Sequence, residues 1–352
     1  MAVVTLGTAI LVVVIAITIG SGKRAPQPAP PSVAPTPTGP QRLTGPFPGA
    51  RALTAMAYDS YRHEVVLFGG SAGSGQLDDT WTLHGRTWST RHPSVHPGPL
   101  DVELMAYDDR THTCLLVGSP GLQGPAQTWS WDGTTWTRLA DLLITDVEGP
   151  QAFAFDPVSG HALLLSSLKP ATGSGSATRM WMWDGHTWAL GRPPSAFADT
   201  AGEARLATVG TGPSGRTGRG VLALLEDGRG SHMTWLWDGV TWSQRASGGT
   251  LSYDPQLSST MAEDPTTGDV VLIAAADSGR RDGQTWLWDG ATWRAGVAAP
   301  LATSAYRGTF VLSDTNSSHA IVIGETASGS QVDVLDVLWT FDGRGWVSSS
   351  AA

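Results

Sequence analysis

The nine-residue stretch Thr285–Trp293 (TWLWDGATW) constrains this chain more than any other feature, because it recurs. Near-copies stand at Thr128–Trp136, Met180–Trp188 and Thr234–Trp242, and degenerate copies at Thr80–Trp88 and Leu338–Trp346. These six units hold all 16 tryptophans: Trp81, Trp88, Trp129, Trp131, Trp136, Trp181, Trp183, Trp188, Trp235, Trp237, Trp242, Trp286, Trp288, Trp293, Trp339 and Trp346. Period-two alternation puts Trp286 and Trp288 on one face of a strand. Asp289-Gly290 is a tight-turn signal, since Gly accepts positive φ and Asp bonds its own backbone, so Thr292-Trp293 opens a hairpin partner. An indole brings roughly 150–250 Å² of buriable surface. Aromatics at the same phase of every unit are what the interface between stacked repeats requires, so the tryptophans are read as core.

Two further strands precede each motif. In the first unit they are Ala52–Asp59 and Glu64–Gly70. In the second they are Leu104–Asp108 and Thr113–Gly118, and in the fifth Thr260–Asp264 and Val270–Ala274. The fourth unit keeps the strands, Ala204–Val209 and Val221–Leu225, but has lost the glycine and aspartate markers. The lead tryptophans are 48, 52, 54, 51 and 53 residues apart, whereas WD40 blades recur at about 40–45 residues. With this period, the run Val65-Val66-Leu67-Phe68-Gly69-Gly70, the lead-in Asp78-Asp79-Thr80-Trp81 and a tryptophan opening each fourth strand, the chain resembles a kelch-repeat β-propeller, the central domain of galactose-oxidase-like proteins. The glycine doublet is intact only in the first unit. The resemblance implies an all-β fold, a six-bladed kelch-type β-propeller with four-stranded blades. It would span 45–350, with blades near 52–93, 102–142, 151–193, 203–246, 258–297 and 307–350. Gln41–Arg51 is available to complete a blade from the other terminus, and the mode of closure stays open.

The N-terminus is a separate object. Ala2 to Gly20 has no charge, and a helix of that length approaches the roughly 30 Å hydrocarbon core. Residues 1–22 are therefore expected to form a transmembrane anchor, with a cleaved signal peptide as the rival because Gly20-Ser21-Gly22 offers a small-residue site. Residues 23–44 form a proline-rich linker, extended and semi-rigid. Lys23 and Arg24 follow the span and by the positive-inside rule argue for a cytoplasmic domain. A stalk below a globular domain argues for an extracytoplasmic one, which is the reading adopted. The net charge of −9 and the lack of basic clusters exclude nucleic acid as an expected partner.

The family resemblance raises one chemistry, a copper-radical oxidase with two His and two Tyr ligands, one Tyr crosslinked to Cys. The sole cysteine, Cys114, sits in the apolar run Thr113–Val117, where a small buried hydrophobe is expected. Tyr58 and Tyr107 recur at one phase, which points to packing, and no phosphate loop, nucleophile elbow or His-Glu-x-x-His is present. No catalytic residue, cofactor or metal site is assigned. A copper oxidase or a hydrolase on scattered acids remains the alternative.

A non-enzymatic module for a protein or glycan partner is the favoured reading. Its expected surface is the face of the loops between second and third strands, where Lys169, Arg179, Arg280 and Arg281 add charge. His63, His112, His161 and His319 are placed in the turns before the second strands on the opposite face. They form a wide rim there, not a cluster, and are a candidate pH-sensitive edge because histidine is the side chain whose ordinary charge change falls between pH 5 and 8.

Overall fold

The computed structural model describes residues 41–49, 51–73, 75–121, 125–143, 147–168, 177–199, 204–210, 215–226, 231–247, 251, 259–274, 283–298, 310–325 and 335–347. The expected span Ala2–Gly20 and the linker up to Pro40 lie outside these residues. Among the described residues no helix is long and apolar enough to cross a membrane.

The described chain is a ring of six antiparallel sheets, each built from consecutive strands. Blade 1 comprises Ala55–Asp59, Glu64–Phe68, Thr80–His84 and Thr87–Arg91; blade 2 comprises Asp101–Asp108, Thr113–Ser119, Gln127–Trp131 and Trp136–Arg138. Blade 3 runs through Val147–Asp156, His161–Leu168, Ala177–Trp183 and Trp188–Leu190, and blade 4 through Ala204–Val209, Gly220–Glu226, His232–Trp237 and Trp242–Ser247. Blade 5 holds Ser259–Glu263, Val270–Ala274, Gln284–Trp288 and Trp293–Ala298, and blade 6 holds Phe310–Asp314, His319–Glu325, Leu335–Phe341 and Trp346–Val347. First strands lie innermost and touch their neighbours all the way round, blade 6 against blade 1 included.

The core is divided among the joints between blades. Six hydrophobic clusters each join two adjacent blades. Trp286 and Trp288 pack with Leu222, Leu224 and Leu236 of blade 4, while Leu287 between them packs with Val311 and Val322 of blade 6. Alternation along one strand thus serves two joints. None of the tryptophans is exposed, and Trp88, Trp131 and Trp288 are fully buried.

A hydrogen bond accounts for the threonine that opens four of the six motifs and for the tryptophan that closes the motif of the next blade. The closing tryptophan of one blade donates from Nε1 to the opening threonine of the blade before it. The pairs are Trp136 to Thr80 (2.9 Å), Trp188 to Thr128 (2.8 Å), Trp293 to Thr234 (2.8 Å) and Trp346 to Thr285 (2.9 Å). In blade 3 the opening residue is Met180, and Trp242 meets its Sδ at 3.2 Å. These threonines are buried, so each indole N–H and hydroxyl meets a partner where water is excluded.

Closure uses the N-terminus. Gln41 pairs with Leu338 and Arg42 with Val337, on the same edge of the third strand of blade 6 that Trp346–Val347 occupies further along. Leu43 then enters the joint between blades 6 and 1, and Thr44 bonds Arg86 and Trp88 of blade 1. The linker expected over 23–44 therefore gives up Gln41–Thr44 to the propeller. The reason is an open edge: a two-residue fourth strand leaves half of its neighbour's N–H and C=O groups unpaired, and these residues fill it.

Candidate functional site: the central channel

Among the described residues each first strand pairs only with the second strand of its own blade, which leaves its other edge uncovered by any described strand. Six such edges surround the axis and enclose a channel of about 580 Å³. Its wall alternates apolar side chains with backbone N–H and C=O groups that no strand covers. Neighbouring blades occupy some of these groups: Thr208 Oγ1 donates to the Phe155 carbonyl at 2.7 Å, and the Val311 N–H donates to Thr260 Oγ1 at 3.3 Å. Ser313 Oγ, also in the wall, is buried without a hydrogen-bond partner. The aromatic part of the lining is Tyr58, Tyr107, Phe153, Phe155 and Phe310.

One end of the channel opens among the turns that join first to second strands. Five first strands run into an aspartate that folds its turn. Asp59 Oδ1 accepts from the N–H of Tyr61 and Arg62 at 3.0 Å each, Asp108 Oδ1 from Arg110 at 2.9 Å, Asp264 Oδ1 from Thr267 at 2.8 Å and Asp314 Oδ1 from Asn316 at 2.9 Å. Asp156 does the same for Val158 at 2.9 Å, and its Oδ2 takes the Trp237 indole of blade 4, also at 2.9 Å. These carboxylates are consumed by structure. The residues that reach the mouth come after them: Ser60, Asp109, Pro157 and Thr315, with Gly210 and Arg219 from blade 4.

The tyrosines tie turn to turn around this mouth. Burial, then a hydrogen bond to Asp314 of blade 6, pushes the Tyr58 phenol far above its usual range. Burial raises Tyr107 to about 12, and Tyr107 Oη accepts from the Tyr61 N–H of blade 1 at 3.2 Å. Both are therefore neutral donors or acceptors at physiological pH. Asp109, exposed but partly desolvated at the mouth, is pushed up by that desolvation and then by the charge of Asp108, against the opposing charge of Arg219.

The histidines divide into two positions instead of the single one expected. His63 and His112 hold the left-handed turn position, φ 55° and 56°. His161 and His319 come one residue later and begin the second strand, because Gly160 and Ser318 take the left-handed position there. His112 stacks on Tyr61 with centroids 4.3 Å apart, and His319 Nδ1 lies 3.5 Å from Asp264 Oδ2. On the opposite face, Arg179 is not a loop residue: the hairpin of blade 3 is longer than expected, and Arg179 pairs in register with Ser166. Lys169, Arg280 and Arg281 lie outside the described residues.

Cys114 is fully buried, its thiol pushed well up by that burial. It stands opposite Tyr107 in register, and His112 Nδ1 is 3.4 Å from Tyr107 Oη. Among the described residues no group of three or more His, Cys, Asp or Glu side chains is placed to hold a metal ion. Reasoning from sequence passed over the channel-mouth residues. The signals available were a tyrosine directly before the turn aspartate in two blades and the lost markers of the fourth unit.

No family model matches the chain, and no curated protein matches it in sequence. Its backbone is similar to solved lectin structures. The SapL1 lectin in complex with alpha methyl fucoside superposes with a TM-score of 0.59 at 16% identity, over 87% of this chain and 97% of that one. An Aleuria aurantia lectin mutant in complex with Fucα1-6GlcNAc gives 0.59 at 14%, over 87% and 99%. The Aleuria aurantia lectin described as a fungal lectin with a six-bladed β-propeller fold gives 0.58 at 13%, over 87% and 99%. At such identities the likeness concerns the fold: this chain is a six-bladed β-propeller with four strands of its own in each blade.

Proposed function

We propose that this protein is a non-enzymatic, membrane-tethered propeller that binds a carbohydrate in its central channel. The observation that carries the reading is the channel itself. At about 580 Å³ it falls within the roughly 300–1,000 Å³ of small-molecule sites. Its wall sets uncovered backbone donors and acceptors beside aromatic faces, which matches a ligand that is hydroxylated on its edges and apolar on its faces. The similarity to lectin propellers solved in complex with fucose-containing ligands supports the same class. The kelch-type origin of the blade belongs to this proposal and rests on the period and on the tryptophan opening each fourth strand. The anchor over residues 1–22 and an extracytoplasmic propeller also belong to it, resting on the uncharged leader and the proline-rich spacer.

Titration calorimetry of the full chain with a panel of monosaccharides, methyl α-fucoside included, tests the binding. Saturable binding that Thr315→Trp abolishes by covering the mouth is expected; no binding to any sugar contradicts the reading. For the tether, protease added to intact cells should digest the propeller. Sparing there, with digestion only after permeabilisation, would place it in the cytoplasm.

A further inference from the structure

The fourth blade breaks the repeat where the first strand ends. Its counterpart to the turn aspartates is Gly210, and the chain takes a longer route to the second strand at Gly220. That route passes through glycines at positive φ: Gly210 at 79°, Gly218 at 87° and Gly220 at 136°. A Cβ on Gly210 would meet the Arg219 backbone at 2.5 Å, one on Gly218 would meet Leu236 Cδ2 at 2.6 Å, and one on Gly220 would strike the Trp237 carbonyl. At Gly210 and Gly220, where the clash is with backbone and φ is positive, only glycine fits. What the route delivers is Arg219, at the channel mouth.

Arg219 is exposed and, among the described residues, makes no hydrogen bond or ion pair. Asp109 of blade 2 lines the same mouth. Among the described residues no hydrogen bond or ion pair joins its carboxylate to Arg219, so the two groups are not closed on each other. The other mouth side chains, Ser60, Pro157 and Thr315, are neutral. Departures from a repeat that cost local freedom are where function is expected.

We propose that Asp109 and Arg219 are the specificity-determining pair of the channel, bracketing two neighbouring hydroxyls of a neutral sugar ring; this rests on the carbohydrate-binding reading above. A hydroxyl both donates and accepts, so a vicinal pair satisfies a planar donor fork and a carboxylate together. An acidic sugar would set its charge against Asp109 and the turn carboxylates behind it, and an amino sugar would set an ammonium against Arg219.

The test titrates the full chain with methyl α-fucoside, D-mannose and D-galactose as neutral probes, and with D-glucuronate and D-glucosamine as charged ones. A neutral sugar should bind most tightly, and Arg219→Met and Asp109→Asn should each weaken it about tenfold or more, as loss of a hydrogen bond to a charged group does. Both side chains are exposed, so melting temperature should not move. Neutral-sugar binding that both variants leave within about twofold, while Thr315→Trp still abolishes it, overturns the pair and leaves the channel reading standing. Tighter binding of either charged sugar also overturns it. Absence of binding to every probe removes both.

Discussion

At the scale of single residues, the bond from Trp188 Nε1 to Thr128 Oγ1 (2.8 Å) shows how the repeat holds itself together. Thr128 and Trp136 belong to one motif yet serve different joints, the first accepting from blade 3 and the second donating to blade 1. Thr128→Val keeps the shape but leaves an indole N–H unpaired, which should cost about 1–3 kcal/mol. A double-mutant cycle with Trp188→Phe, read by denaturant unfolding, should return a positive coupling. The same cycle at Met180 and Trp242 should return a smaller one, since thioether sulfur is a weak acceptor. Equal couplings would mean that packing alone joins the blades. The tryptophans were legible in sequence because an indole every two residues has few uses besides core. Their partners were not, since nothing in a linear motif says that its first and last residues bond to different neighbours.

At the scale of elements, the hairpin between third and fourth strands follows its turn chemistry. Asp184, Asp238 and Asp289 accept two backbone N–H groups each, for example from Thr187 at 2.7 Å and Thr241 at 2.8 Å, and those bonds hold their carboxyls below the usual aspartate range. A lowered folded pKa gives stability that is present above the unfolded value and lost as pH falls through the folded one. Thermal melts should therefore be flat above about pH 5 and fall below about pH 4. Asn at Asp184, Asp238 and Asp289 together should flatten that fall, and an unchanged acid limb would contradict the assignment. The glycine after each aspartate packs on the preceding blade. Gly290 has φ 99°, and a Cβ there would strike the Arg216 carbonyl. Gly290→Ala should thus cost more than the ~1 kcal/mol of an unhindered left-handed glycine, measured by chemical denaturation. This turn was readable as Asp-Gly. The fourth blade's detour was not, because Gly210 to Gly220 reads as generic loop until the path of Arg219 is seen.

At the scale of the whole molecule, the ring depends on four residues at its N-terminal edge. Leu43 is buried between blades 6 and 1, so Leu43→Ala should cost about 2–5 kcal/mol, whereas the same change at exposed Leu143 should cost less than about 0.5 kcal/mol. Equal effects on unfolding would mean that the last joint is held elsewhere. Six blades were legible from a period near fifty residues. Closure was left open: Gln41–Arg51 was available for it, yet Gln41 and Arg42 have no strand signature and acquire one only from the open edge they meet. The channel was hidden for a similar reason: part of its wall is the uncovered edges of the first strands, and backbone leaves no trace in composition. The most direct measurement is a crystal structure of the full chain grown with its best-binding neutral sugar. The sugar is predicted to lie in the channel between Asp109 and Arg219, against the faces of Tyr58 and Tyr107. A sugar held on the outer surface between blades, above an empty channel, would contradict the account.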